Sequence, residues 1–309
     1  MYADAVIEGG GVKGIGLVGA IYEAEKRGYK WKRLAGTSAG AIIAALLAAG
    51  YTAKELKEEI MNLDYKQFNQ KRGASGLPVI GNLLNLWLYY GIYSSEYIEH
   101  WMREKLLKKG VKKFSDLKNT LYIIASDITS GEMLVLPDDI KRYGIDPESM
   151  DIALAVRMSS SIPYFFSPVK LTVSDGNKTR IHYIVDGGLL SNFPVWIFDS
   201  NRFPRWPTFG FRLVSNKNDQ ENMINGPISL GFALINTMLE AHDTRSIKEQ
   251  NFVRTILVPN IGVKATDFDI SREQREKLFI SGIKAGEKFF KQWNFHQYAI
   301  KYRSNKKKV

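Results

Sequence analysis

Cysteine is absent from the 309 residues, which excludes disulfides, thiolate nucleophiles and cysteine-bound metals. Histidine is scarce: His100, His182, His242 and His296 are the only four, so any imidazole-based site has few candidates. Acidic residues are in deficit, with 32 Asp and Glu against 43 Lys and Arg, a net charge of +11. No apolar run is long and uninterrupted enough for a membrane span. The segment from Met1 lacks the basic and apolar regions of a secretory signal and carries Asp4 and Glu8, so a cytoplasmic location is expected, with peripheral membrane contact as an addition.

The charge excess is concentrated in "KYRSNKKKV", where Lys301, Arg303, Lys306, Lys307 and Lys308 have no acidic neighbour. Such a run is either a solvated end or a contact for an anionic membrane, where each basic residue contributes about 1 kcal/mol near acidic lipid. Nucleic acid is not expected, because no recognition motif with interleaved aromatics accompanies the charge.

What is present is a chain of strands alternating with helices, with 45% hydrophobic residues to bury. A strand at Ala5–Ile7 precedes a helix from Lys13 to Arg27, closed by Gly28. A strand near Arg33–Ala35 leads to an apolar helix from Ala39 to Ala49, and Thr52 with Glu55 has the spacing of a capping box. Leu77 to Tyr93 reads either as a buried helix or as an amphiphilic lid. Further helices are expected near Ser95–Lys108, Met150–Met158, Ser229–Glu249 and Arg272–Trp293. Hairpins are expected at 121–136 and 169–186, the second turning at Asp175 and Gly176, and single strands at Thr208–Val214 and Arg254–Pro259. These elements describe one α/β domain over residues 1–295, with 216–226 as a linker to its last helices and 296–309 as a basic tail.

Gly9, Gly11 and Gly14 satisfy G-x-G-x-x-G after the first strand, the spacing of a dinucleotide-binding loop. Such a site needs an acidic residue about 20 positions on to bind ribose hydroxyls. None stands between Gly28 and Gly40. That strand end instead reads Gly36, Thr37, Ser38, Ala39, Gly40, which is G-x-S-x-G between an apolar strand and an apolar helix. A serine on so sharp a turn has its hydroxyl projecting, and the flanking glycines let strand and helix cross closely. If Ser38 attacks an ester, the tetrahedral oxygen needs fixed donors; Gly10 and Gly11 are the best candidates, with Ala39 as an additional one. Lys13 reinforces this anion site, contacts a lipid phosphate, or simply pairs at the surface.

A serine nucleophile needs a base. His182 shares a strand with Asp186 but stands four residues away, ~13 Å along an extended chain, so a Ser-His-Asp triad requires an unforeseen long-range contact. Asp186 is the stronger candidate, because it ends an apolar strand and opens a tight Asp-Gly-Gly turn with Gly187 and Gly188. Asp127, before Thr129 and Gly131, is a rival carboxylate better suited to a turn.

In "GGGVKG", "GTSAG", "SSSIPYFFSPV" and "DGG", in that order between Ala5 and Pro194, the chain resembles the patatin-like phospholipases. The resemblance implies a three-layer α/β/α sandwich with a mostly parallel sheet and a Ser/Asp dyad. In it Ser38 would be the nucleophile, Asp186 the base, and Gly9 to Gly14 the oxyanion-hole motif. It also implies hydrolysis of acyl esters of phospholipids without a metal or other cofactor. Asp-Gly-Gly stands where Asp-Gly-Ala is frequent. Burying an acyl chain of about 16 carbons gains on the order of 10 kcal/mol, so an apolar tunnel would favour a lipid over a small ester. Tyr164–Phe166 and the segment from Trp87 to Tyr93 are candidates to line it. The expected activity is that of a phospholipase A or lysophospholipase, with acyl transfer and a non-catalytic nucleotide-binding module as the alternatives.

Overall fold

A computed structural model describes residues 1–69, 78–175, 178–200, 203–214 and 252–304, with short stretches between 224 and 238. The expected turn residue Gly176, most of the 216–226 linker, much of the Ser229–Glu249 helix, His242, and Lys306 to Lys308 lie outside the described residues.

The chain opens with β1 (Tyr2–Ile7), a single 3-10 turn at Gly11–Lys13, and α1 (Gly14–Lys26). Next come β2 (Lys30–Thr37) and α2 (Ala39–Ala48), which is apolar on nearly every side and accordingly buried. The Thr52 and Glu55 capping box forms as expected and starts α3 (Ala53–Met61). Then follow α4 (Pro78–Tyr89), the short β3 (Gly91–Tyr93) and α5 (Glu96–Lys108). The hairpin of β4 (Thr120–Asp127) and β5 (Glu132–Leu136) leads to α6 (Ile152–Ser159), whose N-cap Asp151 accepts the Leu154 N–H. After β6 (Tyr164–Phe166), which pairs with β3 in a separate small sheet, the second hairpin joins β7 (Val169–Asp175) to β8 (Lys178–Asp186). The four-residue α7 (Gly188–Ser191), β9 (Thr208–Val214), β10 (Thr255–Pro259), α8 (Arg272–Gln292) and α9 (Phe295–Ser304) complete it.

The main sheet runs β10-β9-β1-β2-β4-β8-β7, with β5 also on β4. From β10 to β4 every pairing is parallel; β8, β7 and β5 are antiparallel. β9 adds to β1, and β10, which follows the polar segment after Val214, adds to β9 in the same sheet. One face carries the large core, into which Ala5, Ile7 and Leu34 point with side chains from α1, α2 and α8. The opposite face is thinner: Val6 and Ala35 pack on Val195 and Phe198 from the chain after α7.

The basic tail differs from its expected form. Residues 295–304 are helical, and Tyr298 and Ala299 are buried, with the Tyr298 ring against Trp293. The segment before Tyr93 also departs from a buried helix. α4 keeps Asn85 inside but exposes Leu84, Trp87, Leu88 and Tyr89, with Trp87 79% accessible. The three residues Leu84, Trp87 and Leu88 follow helical i, i+3, i+4 spacing, so they share one face.

Strand β4 has two edges, and their use explains the site. β5 runs along one of them from Ile123 to Asp127. The other edge is shared: β2 occupies it until Thr37, opposite Ile124, and β8 takes over with Asp186, opposite Ala125. These two strands run in opposite directions and meet nearly end to end, so the residues at their ends converge.

Candidate active site

Ser38 lies just past the end of β2 and caps α2, with φ 54° and ψ −125°. A positive φ at a serine is a strained backbone, tolerated only where surroundings hold it. The holding contacts are explicit. A Cβ on Gly36 would overlap the Gly40 carbonyl, and a Cβ on Gly40 would overlap the carbonyls of Ile7 and Glu8, so only glycines allow β1, β2 and α2 to approach here. The Ser38 N–H donates to Ser159 Oγ at 2.9 Å, and Ser159 Oγ donates to the Ile124 carbonyl at 2.5 Å. Ser159 therefore pins the strained residue to β4.

The Ser38 hydroxyl donates to Asp186 Oδ2 at 2.6 Å, while Asp186 Oδ1 accepts the Gly188 N–H at 2.8 Å. Asp186 is 1% exposed. Burial pushes its carboxyl up to about 7, against the opposing pull of the Ser38 and Gly188 hydrogen bonds. Its backbone is held by the serine segment as well: the Asp186 N–H donates to the Ser161 carbonyl and the Gly187 N–H to the Ser159 carbonyl. A Cβ on Gly187 would overlap the Ile124 carbonyl, which is why glycine follows the aspartate.

The rival carboxylate has the opposite environment. Burial raises Asp127, but hydrogen bonds from His182, Ser130, Tyr143 and the Thr129 N–H outweigh it and hold the carboxyl below its usual range. Thr129 N–H at 2.8 Å and Ser130 N–H at 3.4 Å make it the turn residue the sequence suggested. His182 Nδ1 lies 2.7 Å from Asp127 Oδ2, so this imidazole is committed away from Ser38. His100 and His296 are exposed on α5 and α9.

The glycine loop is tied to the Asp186 side of the site. Gly9 N–H donates to the Asn192 carbonyl at 3.2 Å, and Thr37 Oγ1 donates to the Ser191 carbonyl at 3.0 Å. Gly11 has φ 57°, and a Cβ there would overlap the Ala265 carbonyl, which also accepts the Val12 N–H. Gly14 N–H closes the 3-10 turn onto the Gly11 carbonyl. Of the five expected donors, Gly9 and Gly14 are thus already used, whereas the N–H groups of Gly10, Gly11 and Ala39 have no acceptor among the described residues. Lys13 is half-buried beside Gly10 and does not line the cavity described next.

Ser38, Ala39, Gly11 and Gly14 line a cavity of about 70 Å³. Its walls are apolar, formed by Ile42 and Ile43 of α2, Ile60 and Leu63, and the rings of Tyr65, Phe68, Phe166 and Phe268. Phe166 therefore lines it as expected. Tyr164, Leu86 and Tyr90 do not; they surround a separate apolar cavity of about 400 Å³ with Val185 and Tyr183. Among the described residues no helix is long and apolar enough to cross a membrane, and no cluster of three His, Asp or Glu side chains could hold a metal.

Residues 5–199 match the patatin-like phospholipase family, and the chain belongs to it. It is a hydrolase of carboxylic ester bonds of the lipid acyl class. The uncharacterized protein YqhO of Bacillus subtilis (strain 168) is 43% identical over 298 residues, covering 96% of this chain and all of YqhO. The probable lipid hydrolase 463L of Invertebrate iridescent virus 6 is 26% identical over 205 residues, 63% of this chain and 62% of that protein. Two solved structures at 17% identity share the fold over 94% of this chain: VipD from Legionella pneumophila, TM-score 0.57, and the ExoU–SpcU complex of Pseudomonas aeruginosa, TM-score 0.54. This chain spans 66% and 51% of those two chains.

Sequence reasoning missed Ser159 and Asn192. "SSSIPYFFSPV" was visible as a motif, but nothing local tells which of its serines bonds Ser38, and Asn192 had no signal beyond lying soon after Asp-Gly-Gly.

Proposed function

We propose that the protein is a phospholipase A or lysophospholipase that releases fatty acids through a Ser38/Asp186 dyad and an acyl-enzyme. The observation that carries this reading is the 2.6 Å hydrogen bond from the Ser38 hydroxyl to a buried carboxylate, with Ser38 lining an apolar cavity. As Ser38 Oγ attacks the ester carbon, Asp186 takes its proton; a carboxyl raised to about 7 is a far better base than an ordinary one. The carbonyl electron pair moves onto oxygen, facing the unengaged N–H groups of Gly10, Gly11 and Ala39, where each lost donor typically costs about 3 kcal/mol of transition-state stabilisation. Collapse breaks the bond to the alcohol oxygen, which receives the proton from Asp186. Water then attacks the acyl-enzyme with Asp186 again as base, freeing the fatty acid and restoring Ser38.

The ester end of the hydrocarbon chain enters the cavity of Ile42, Ile43, Leu63 and Phe166, and the exposed face of Leu84, Trp87 and Leu88 meets the lipid surface from which it is drawn. The deciding experiment is fatty-acid release from phospholipid and lysophospholipid by wild type, Ser38→Ala, Asp186→Asn and each His→Ala variant. Loss in the first two alone supports the dyad; an indispensable histidine overturns it in favour of a triad.

A further inference from the structure

The mechanism leaves a second apolar cavity without an occupant. It holds about 400 Å³, against about 70 Å³ for the cavity of Ser38, and its wall includes Leu86, Tyr90, Ile128, Tyr164, Tyr183 and Val185. Tyr90, Ile128 and Tyr164 are each about half exposed, so a ligand can reach it from outside.

Its place follows from the sheet. Beyond the end of β2, β8 continues along β4, with Asp186 opposite Ala125, Val185 opposite Ser126 and Ile184 opposite Asp127, and the Ile128 N–H donates to the Tyr183 carbonyl at 3.0 Å. Val185 and Tyr183 are thus one and three residues outward of Asp186, within about 10 Å of it at ~3.3 Å per residue. The segment after α6 contributes to both cavities: Ile162 and Phe166 line that of Ser38, and Pro163 and Tyr164 line the second.

Two tyrosines of this wall have strained backbones. Tyr90 has φ 59° and Tyr164 φ 64°, a region that bulky residues rarely enter. The small sheet holds them both, since Gly91, directly after Tyr90, pairs with Tyr164. Strain of this kind persists where surrounding structure enforces it, and it clusters at ligand sites. Charge adds a second indication. Lys170 is exposed, with its ammonium 5.9 Å from the ring centroid of Tyr90 and 5.6 Å from that of Tyr183. An apolar seat with a cation beside two of its rings fits hydrocarbon joined to an anionic group.

Resting on the reading of Ser38 and Asp186 given above, we propose that this cavity seats the second hydrocarbon chain of the substrate, with Lys170 meeting its phosphate. The preferred substrate is then a two-chain glycerophospholipid over a lysophospholipid. The two chains of such a lipid leave neighbouring glycerol carbons, and the two cavities share the segment 162–166 as a common wall. The exposed Leu84, Trp87 and Leu88 lie on the same helix as Leu86, which places the seat beside the lipid-facing side of α4.

The test uses lipids below their aggregation threshold, so that surface binding does not enter: dihexanoylphosphatidylcholine against the lysophospholipid with one hexanoyl chain. Wild type is expected to prefer the two-chain lipid by about tenfold or more in kcat/KM, from the added burial of methylenes. Leu86→Trp fills the cavity, and Tyr164→Gly removes part of its wall while suiting the positive φ. Each should bring that ratio to about one, with the loss falling on the two-chain lipid, and each should weaken calorimetric binding of the non-hydrolysable dihexyl ether analogue by about tenfold. Lys170→Ala should weaken binding of that analogue about threefold or more, and binding of the uncharged dihexyl ether of glycerol less than about twofold. A wild type without chain preference, equal losses on both lipids, or variants that bind the diether as wild type does overturns the proposal. An equal effect of Lys170→Ala on both ethers overturns the phosphate contact. Fatty-acid release that survives Ser38→Ala overturns the nucleophile assignment instead, and the ether affinities, which involve no hydrolysis, still decide the seat.

Discussion

Ser38 and Asp186 are 148 residues apart in the chain and 2.6 Å apart in space, with the hydroxyl donating to the carboxylate. They meet because β2 and β8 share one edge of β4 from opposite directions, ending opposite Ile124 and Ala125. The contact is thus a property of sheet topology.

Removing either partner should abolish turnover without unfolding the protein. Ser38→Ala and Asp186→Asn are each expected to lower fatty-acid release by at least about 10³-fold, with an unchanged far-ultraviolet circular dichroism spectrum. Release is read by titration of free fatty acid under saturating lysophospholipid.

The pH dependence has a defined sign. In the proposed mechanism Asp186 acts as a base only when ionised, so with its carboxyl raised to about 7, kcat/KM should climb through neutrality and level off above it. The same shift affects folding: the native state holds a proton that the unfolded aspartate loses near 4, so this group's stabilising contribution is complete below about 4 and lost as pH rises through about 7. Asp186→Asn stays neutral, and its Tm advantage over wild type should widen between pH 4 and 7 and stay constant above.

His182→Ala should separate stability from activity. It removes a donor from the buried Asp127, and about 1–3 kcal/mol of unfolding free energy is expected to be lost, measured by urea denaturation. Fatty-acid release at a temperature where the variant is folded should remain within about twofold of wild type.

Ser159→Ala removes the acceptor of the Ser38 N–H and the donor to Ile124. Ser38 then loses its tether while the adjoining cavity remains. A fall of about tenfold or more in kcat with little change in KM is expected, since positioning acts in the transition state. Initial rates over a substrate series read the split.

Membrane contact is testable on α4. Trp87→Ser with Leu88→Ser removes the most exposed ring of that helix and its neighbour on the same face. Co-sedimentation with anionic phosphatidylglycerol vesicles should weaken by about tenfold or more, with hydrolysis of a monomeric short-chain ester unchanged. Equal sedimentation of variant and wild type would reassign that face.

Much of the fold could be read locally. The glycines around Ser38, the Thr52 and Glu55 capping box, the hairpin strands and the apolar α2 are dictated by interactions within a few residues, and they stand where the pattern placed them. The α4 face and the C-terminal helix were not readable in the same way, because an apolar or basic segment is the same string of letters whether its neighbours cover it or not. Tyr298 is buried only because Trp293 and the end of α8 are there to receive it.

By itself the sequence determined the serine turn, the glycine loop, the Asp-Gly-Gly turn and the absence of thiol chemistry, since each follows from side-chain size, backbone freedom or composition. Only the tertiary structure decided which carboxylate faces the serine, which of three consecutive serines holds it, and which apolar residues enclose the adjoining space. Those choices depend on strand order and on burial. A carboxyl becomes a base near neutral pH only where the packed chain excludes water, and that exclusion is assembled from segments far apart in the chain.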